Sequence, residues 1–433
     1  MTISSSLNVG VAGLSVNASR LATISDNIAN SATYGYKRAV ADFASIVLSE
    51  SAGTYVAGGV RTDTFRLVDQ AGSLITTANS TDIAIGGRGM LPVTTASSLN
   101  DVTGERPFML TTTGSFRPDD QGILRTPSGL VLLGWPANID GTLPTFPRDS
   151  AIALEPVTIS LNQYAADPTT EISLGVNLPA TATQAGASND SLEISIEYFD
   201  NLGASETMTI VFTPTVPVIG ASNIWTMQII DNAGGPIPVA EFTLEFDGTR
   251  GSGGTLLNVT PVSGGTYSAI TGEVEINVAG GPMTIEIGEP GSNSHLTQLS
   301  AEFAPVAISK NGTPVGNLSG IKIDENGFLE AIFDTGLTRV IYQIPVADVP
   351  NPNGLAALDG QAFRVTPDSG DFYLWDAGDG PTGETIGFAR EESTTDIAGE
   401  LTQLIQTQRA YSSNAKIIQT VDEMLQETTN IKR

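Results

Sequence analysis

Apolar residues near the amino end recur at Leu7, Val11, Leu14, Ala18 and Leu21, in steps of four, three, four and three, and Ile28 continues the row. That is the a/d spacing of a helix packing along a narrow seam. The carboxyl end repeats it through Ile397, Leu401, Leu404, Gln408, Tyr411, Ala415 and Ile418, and Val421 and Leu425 carry it onward. Proline agrees, because all 24 lie between Pro92 and Pro381, and proline breaks helix interiors. Between the ends the period falls to two. Leu192, Ile194, Ile196 and Tyr198 alternate with Glu193, Ser195 and Glu197; Phe242, Leu244 and Phe246 alternate with Thr243 and Glu245; Met283, Ile285 and Ile287 repeat the pattern. Such runs are strands with one buried and one wet face. Gly234-Gly235, Gly264-Gly265 and Gly280-Gly281 punctuate them. The expected fold is multidomain and mainly β: two β-rich domains, sandwich- or barrel-like, with terminal α-helices forming a coiled-coil-like inner domain.

Charge refines this division. The 433 residues hold 20 Lys and Arg against 47 Asp and Glu, a net charge of −27. Residues 151–302 hold Arg250 alone against 17 acids, which marks an exposed domain kept from adhering to its own copies by repulsion. The expected domains are therefore 1–31 with 398–433, the helical inner part; 32–71 with 388–397, a connecting segment; 72–150 with 303–387, a middle β domain; and 151–302, an acidic outer β domain. With so few bases, no stripe exists to displace counterions from nucleic acid. No run of 18 apolar residues suggests membrane insertion.

Candidate chemistry is sparse. There is no Cys and a single His, His295, so the usual zinc, iron-sulfur and haem ligands and any thiol nucleophile are missing. No nucleophile-elbow sequence accompanies His295, which reads as a surface or loop residue. Gly86-Gly87-Arg88-Gly89 fits neither a dinucleotide fingerprint nor a P-loop and reads as a tight turn. Asp119-Asp120-Gln121-Gly122 and Asp324-Glu325-Asn326-Gly327 lack a calcium-loop pattern and read as Asx/Gly hairpin turns. The acidic loop Asp371 to Asp379 reads as solvated. No catalytic, cofactor or metal site is expected.

The terminal seams admit two readings: an antiparallel helix pair closing one chain, or packing between many copies. Ser4 to Ser6, Asn17, Ser19, Ser25, Ser412 and Ser413 leave each helix little apolar area for a stable lone hairpin, which favours ordering on assembly.

These ends also carry a family resemblance. Ala12-Gly13-Leu14, Arg20-Leu21, Ile24-Ser25-Asp26-Asn27-Ile28-Ala29-Asn30 and Thr33-Tyr34-Gly35-Tyr36-Lys37-Arg38 resemble the amino-terminal signature of bacterial flagellar axial proteins, the rod and hook family. Gln408-Arg409-Ala410-Tyr411, Asn414-Ala415-Lys416, Ile418-Gln419-Thr420 and Asp422-Glu423-Met424-Leu425 resemble its carboxy-terminal signature. Thr81 to Gly89, Thr113-Gly114-Ser115-Phe116 and Gly134-Trp135 resemble the segment that follows in hook and distal rod members. Ile196 to Gly203 with Trp225, and Gly320 to Gly327 leading into Tyr342 to Ala347 and Asn351 to Leu355, resemble the hook branch. Gly89-Met90-Leu91 and Ser393-Thr394-Thr395-Asp396-Ile397 depart from the family pattern.

The resemblance implies a structural subunit, not an enzyme, that polymerises into the flagellar hook, a flexible tubular joint passing torque from rod to filament. A distal rod or hook-filament junction subunit is the nearest alternative, and a secreted β-rich adhesin or glycan binder the alternative of another class. The implied assembly surface is Leu7, Val11, Leu14, Leu21, Ile28, Leu401, Leu404, Gln408, Tyr411, Ile418 and Leu425, with Asn27, Asn30, Arg409 and Asn414 from the signatures. Implied partners are further copies of the chain, rod and hook-filament junction proteins, the hook cap and the flagellar type III export apparatus. Location at the basal body and hook, outside the cell after export without a cleaved signal peptide, follows from the same resemblance, with no cofactor.

Overall fold

Each end of the chain forms one uninterrupted helix in the computed structural model, α1 over Ile3–Ala29 and α2 over Ile397–Ile431. The structure describes residues 3–46, 58–100, 106–138, 141–159 and 164–431. The start of α2 is fixed by Asp396, whose Oδ1 accepts the Ala398 N–H at 3.0 Å, an N-cap that satisfies one of the first free amides. After α1, successive turns through Asn30, Thr33 and Tyr36 reverse the chain. Gly35 sits there at φ +71, where a Cβ would lie 2.8 Å from the Thr113 methyl, so a larger residue would be both strained and crowded.

The chain divides into two units. The first comprises Met1–Leu161, Gly320–Ala331 and Arg339–Arg433. In it, Ala39–Ser45 and Val60–Arg66 form a two-stranded antiparallel ribbon against α1. Leu130–Pro136 pairs with Leu91–Thr95, and that strand with Met109–Thr111. Glu384–Gly387, Asp82–Gly86 and Thr113–Ser115 make a three-stranded sheet. Leu130 to Trp135 are buried at every position rather than alternately, because strands and an irregular segment cover both faces. The core gathers Leu110, Leu133, Trp135, Val349, Phe363 and Leu374, with Trp135 stacked on Phe146.

The second unit comprises Asn162–Ser319 and Ile332–Thr338. Leu192–Phe199, Ser205–Pro214, Ile224–Asp231, Pro238–Phe246 and Leu256–Ser263 form a five-stranded antiparallel meander. A mixed six-stranded sheet is organised around Glu171–Pro179, which pairs parallel with Gly281–Glu286 and Thr297–Leu299 and antiparallel with Ala304–Lys310. The two sheets share one core containing Trp225, Tyr198, Phe212, Phe242, Leu174 and Ile285, a sandwich. Leu192 to Tyr198 and Phe242 to Phe246 form strands as their alternation requires, and the three Gly-Gly pairs fall in or at the ends of connections.

The boundaries at 151 and 302 drawn from charge both move. Leu154, Val157 and Ile159 are buried, and Glu155 and Pro156 pair with Gly134 and Leu133 of the first unit. At the far side, Ala304–Lys310 belongs to the sandwich because it pairs along Glu171–Pro179. Charge marks solvent exposure and does not register a neutral edge strand.

One buried carboxylate anchors the sandwich. Asp231 is fully buried; it accepts the Tyr198 hydroxyl at 2.7 Å and the Ala233 N–H at 3.1 Å on Oδ1, and the Ala279 N–H at 2.8 Å on Oδ2. Burial, then Asp231 itself, pushes the Tyr198 phenol up, so it remains a donor. Asp231→Ala orphans three donors at once and is expected to destabilise this unit by about 3 kcal/mol. Urea unfolding of the full chain followed by Trp fluorescence reads it, and a loss below about 1 kcal/mol would contradict the anchor.

Candidate assembly surface

The terminal helices lie antiparallel on each other. Asn27 meets Glu400, Arg20 meets Gln403, Gly13 faces Asn414 and Gly10 faces Ile418. The buried or contacting positions on α1 are Gly10, Gly13, Val16, Asn17, Arg20, Ile24 and Asn27, and on α2 Glu400, Gln403, Thr407, Asn414, Ile418 and Val421. Most of these positions are small or polar. A Cβ on Gly13 would stand 2.8 Å from the Asn414 amide, and one on Gly10 would stand 3.0 Å from Ile418, so both glycines permit close approach of the backbones.

The apolar stripe of the sequence shares Ile418 and Val421 with this seam and is otherwise offset from it. Val11 is 53 % exposed, Leu401 48 % and Tyr411 43 %. Gln408, Arg409 and Leu425 are also exposed, and Leu7, Leu14, Leu21, Ile28, Asn30 and Leu404 are half-buried. Among the fifteen expected positions the structure brings Asn27, Asn414 and Ile418 onto the intrachain seam and leaves the rest beside or outside it. Reading only apolar positions missed Gly10, Asn17, Glu400 and Thr407. Their heptad steps were present in the sequence but carried by residues that hydropathy ignores.

At the base of the pair the signature residues form a polar joint. The Asn27 amide donates to the Ala39 carbonyl at 2.9 Å and to Glu400 Oε1 at 3.0 Å. Its Oδ1 accepts the Ala39 N–H at 2.8 Å and the Tyr36 hydroxyl at 3.0 Å. Arg38 Nε reaches the same Glu400 oxygen at 2.5 Å. Arg66 lies 4.7 Å over the Tyr36 ring and 3.4 Å from Asp26. Burial, then the hydrogen bond to Asp26, pushes Tyr36 up to about 12, so its hydroxyl stays protonated at neutral pH. Below the joint, Lys37 and Glu391 form a buried pair at 2.7 Å, with Lys37 also donating to the Gln70 carbonyl at 2.6 Å. Buried charges are tolerated only when paired and hydrogen-bonded, which ties the segments before α2 and after α1 together.

The weaker candidates resolve into turns and structural contacts. Asp119, Asp200 and Asp324 each accept backbone N–H groups two and four residues on, the Asx turn that such Asp-x-x-Gly runs favour. Arg88 of the glycine-rich turn pairs with Asp348 at 2.6 Å. Asp376, in the loop read as solvated, instead accepts Arg148 at 2.7 Å and Gln343 at 2.9 Å. His295 places Nε2 3.0 Å from Ser173 Oγ and 3.2 Å from Glu286. A Ser-His-acid relay needs the acid on the opposite ring nitrogen, so this arrangement is not one. Among the described residues no helix is long and apolar enough to cross a membrane.

Comparison with known proteins matches the same regions. Residues 7–37 match the family model "Flagella basal body rod protein", 160–313 "Flagellar basal body protein FlaE D2 domain", and 387–431 "Flagellar basal body rod FlgEFG protein C-terminal". The flagellar hook protein FlgE of Brucella suis is 32 % identical across 100 % of both chains. That of Rhizobium meliloti is 31 % identical across 100 % of both, and that of Escherichia coli 30 % across 98 % of both. The Helicobacter pylori flagellar hook protein FlgE2 structure is similar at 14 % identity over 72 % of this chain and 98 % of that one, with a TM-score of 0.44. With likeness running the whole length of the chain, through the signature joint, the helix pair and the inserted sandwich alike, this chain belongs to the flagellar hook protein FlgE family.

Proposed function

We propose that the chain polymerises through its terminal helices into the wall of the hook tube. The observation that carries this reading is the exposed apolar stripe, Val11, Leu401 and Tyr411, beside an intrachain seam that is mostly small and polar. Packing against further copies supplies the burial a lone pair lacks. In this reading the helices form the inner layer, the first unit's β part the middle layer, and the acidic sandwich the outer one. Long helices packed laterally resist twist. Like-charged outer sandwiches make small, wet contacts that slide as the tube bends. The chain acts as structure and not as a catalyst. Its partners are copies of itself, the rod below, the junction proteins and cap at the growing end, and the export apparatus that delivers it outside the cell. A chain with no Cys has no thiol to cross-link while it travels unfolded.

Negative-stain imaging of the purified chain at high concentration tests the reading. Tubes are expected; dispersed particles under every condition that favours association would point to an adhesin-like role instead.

A further inference from the structure

We infer that Glu400 is a positioning residue that sets the direction in which the helix pair leaves the β part of its unit. This rests on the assembly reading above. Glu400 lies in the first turn of α2 and is 1 % exposed. One of its oxygens receives two donors from different segments, the Asn27 amide at the end of α1 and the Arg38 guanidinium beyond it. Asn27 spends its remaining capacity on both backbone groups of Ala39 and on Tyr36. The Arg38 N–H is bonded to Thr394 Oγ1 at 2.9 Å, and the Thr394 N–H to the Tyr36 carbonyl at 3.1 Å. The last turn of α1, the start of the ribbon and the first turn of α2 thus meet at one carboxylate.

Two observations separate orientation from ordinary stabilisation. Glu400 Oε2 is buried with no partner, a cost that an apolar residue of similar size would avoid. The remaining seam has few apolar residues, chiefly Ile24, Ile418 and Val421, spaced among glycines, Asn17 and Asn414, so the joint at its base carries more of the angle. The angle matters because α2 spans 35 residues, about 50 Å at 1.5 Å per residue. A tilt of about 10° at the base moves its far end by about 9 Å, close to a helix diameter. The apolar stripe would then miss its counterpart on the next copy.

The absence of Cys allows two unique labels in the full chain. Gln121→Cys in the Asp119 turn of the β part and Gln406→Cys on α2, both at exposed positions, carry spin labels for a distance measurement on the monomer. A single narrow distribution is expected, broadened at least about twofold by E400A and restored by E400Q, whose amide oxygen still accepts both donors. Arg38→Gln removes the opposite end of the pair from a partly exposed side chain and is expected to broaden it too, which keeps the test open if E400A fails to fold. Tube yield should follow the same order. A distribution as narrow in E400A or Arg38→Gln as in the parent, or already as broad in the parent, would overturn the inference. Because Leu401→Asp tests assembly separately, loss of tubes in that variant alongside an unchanged distance in E400A would reject the positioning role alone.

Discussion

Leu401→Asp and Val11→Asp are each expected to abolish tube formation while leaving the monomer as stable as the parent. Both side chains are about half exposed within one chain, so a carboxylate there remains hydrated and costs the monomer little. In the polymer the same carboxylate would be buried without a partner, at a cost of about 3 kcal/mol or more. Each 1.4 kcal/mol raises the concentration needed for assembly about tenfold, so the shift is at least about 100-fold. Pelleting assays across protein concentration, with thermal unfolding as the control, give the answer. Ordinary tubes from both variants would remove the exposed stripe from the assembly surface. Leu14→Asp and Leu404→Asp should also block assembly, but these half-buried positions disturb the intrachain pair as well and are the less discriminating choice.

Excising residues 168–312 is expected to leave a chain that still forms tubes. Tyr164–Asp167 pairs antiparallel with the start of Thr313–Ile323, and Asp167 lies directly opposite Thr313. The two cut ends are therefore cross-strand neighbours, and an Asn-Gly insert can close them as a two-residue hairpin. Cutting at 151 would instead remove Leu154, Val157 and Ile159 from the core of the first unit, and cutting at 302 would leave Ala304–Lys310 without the strand it pairs with. The excised segment contains Arg250 and Lys310 against 15 acids, about half of the chain's net charge. The shortened tubes should be straighter or less regular, since their outer contacts are gone, and should bundle at a lower salt concentration than the parent's, since about half of the repelling charge is removed. Circular dichroism and negative-stain images decide the matter. A shortened chain that is unfolded would show that the sandwich is not an independent insertion.

Much of the architecture was legible along the chain. Helical ends, alternating strands such as Leu192 to Tyr198, and Asx turns at Asp119 and Asp324 depend on local chemistry, and local chemistry is what a sequence displays. The domain cuts were less accurate because Ala304–Lys310, with its single charge, carries no acidic signal, and its place is set by hydrogen bonds to a strand some 130 residues earlier. Asp376 was misread for a similar reason: its partners, Arg148 and Gln343, are distant in sequence.

The terminal helices show the division most sharply. Helical ends, each with an apolar stripe, are readable from residue order alone, because proline placement and heptad spacing act within a few residues. Which face of each helix meets the other depends on contacts formed in the folded chain. The stripe records which side chains favour leaving water, not what covers them. The intrachain seam is instead selected by the close approach that Gly10 and Gly13 allow and by the buried polar joint at Asn27, Arg38 and Glu400. Those groups gain nothing from burial until their partners arrive from elsewhere in the chain, so their role becomes visible only once the fold has brought the partners together.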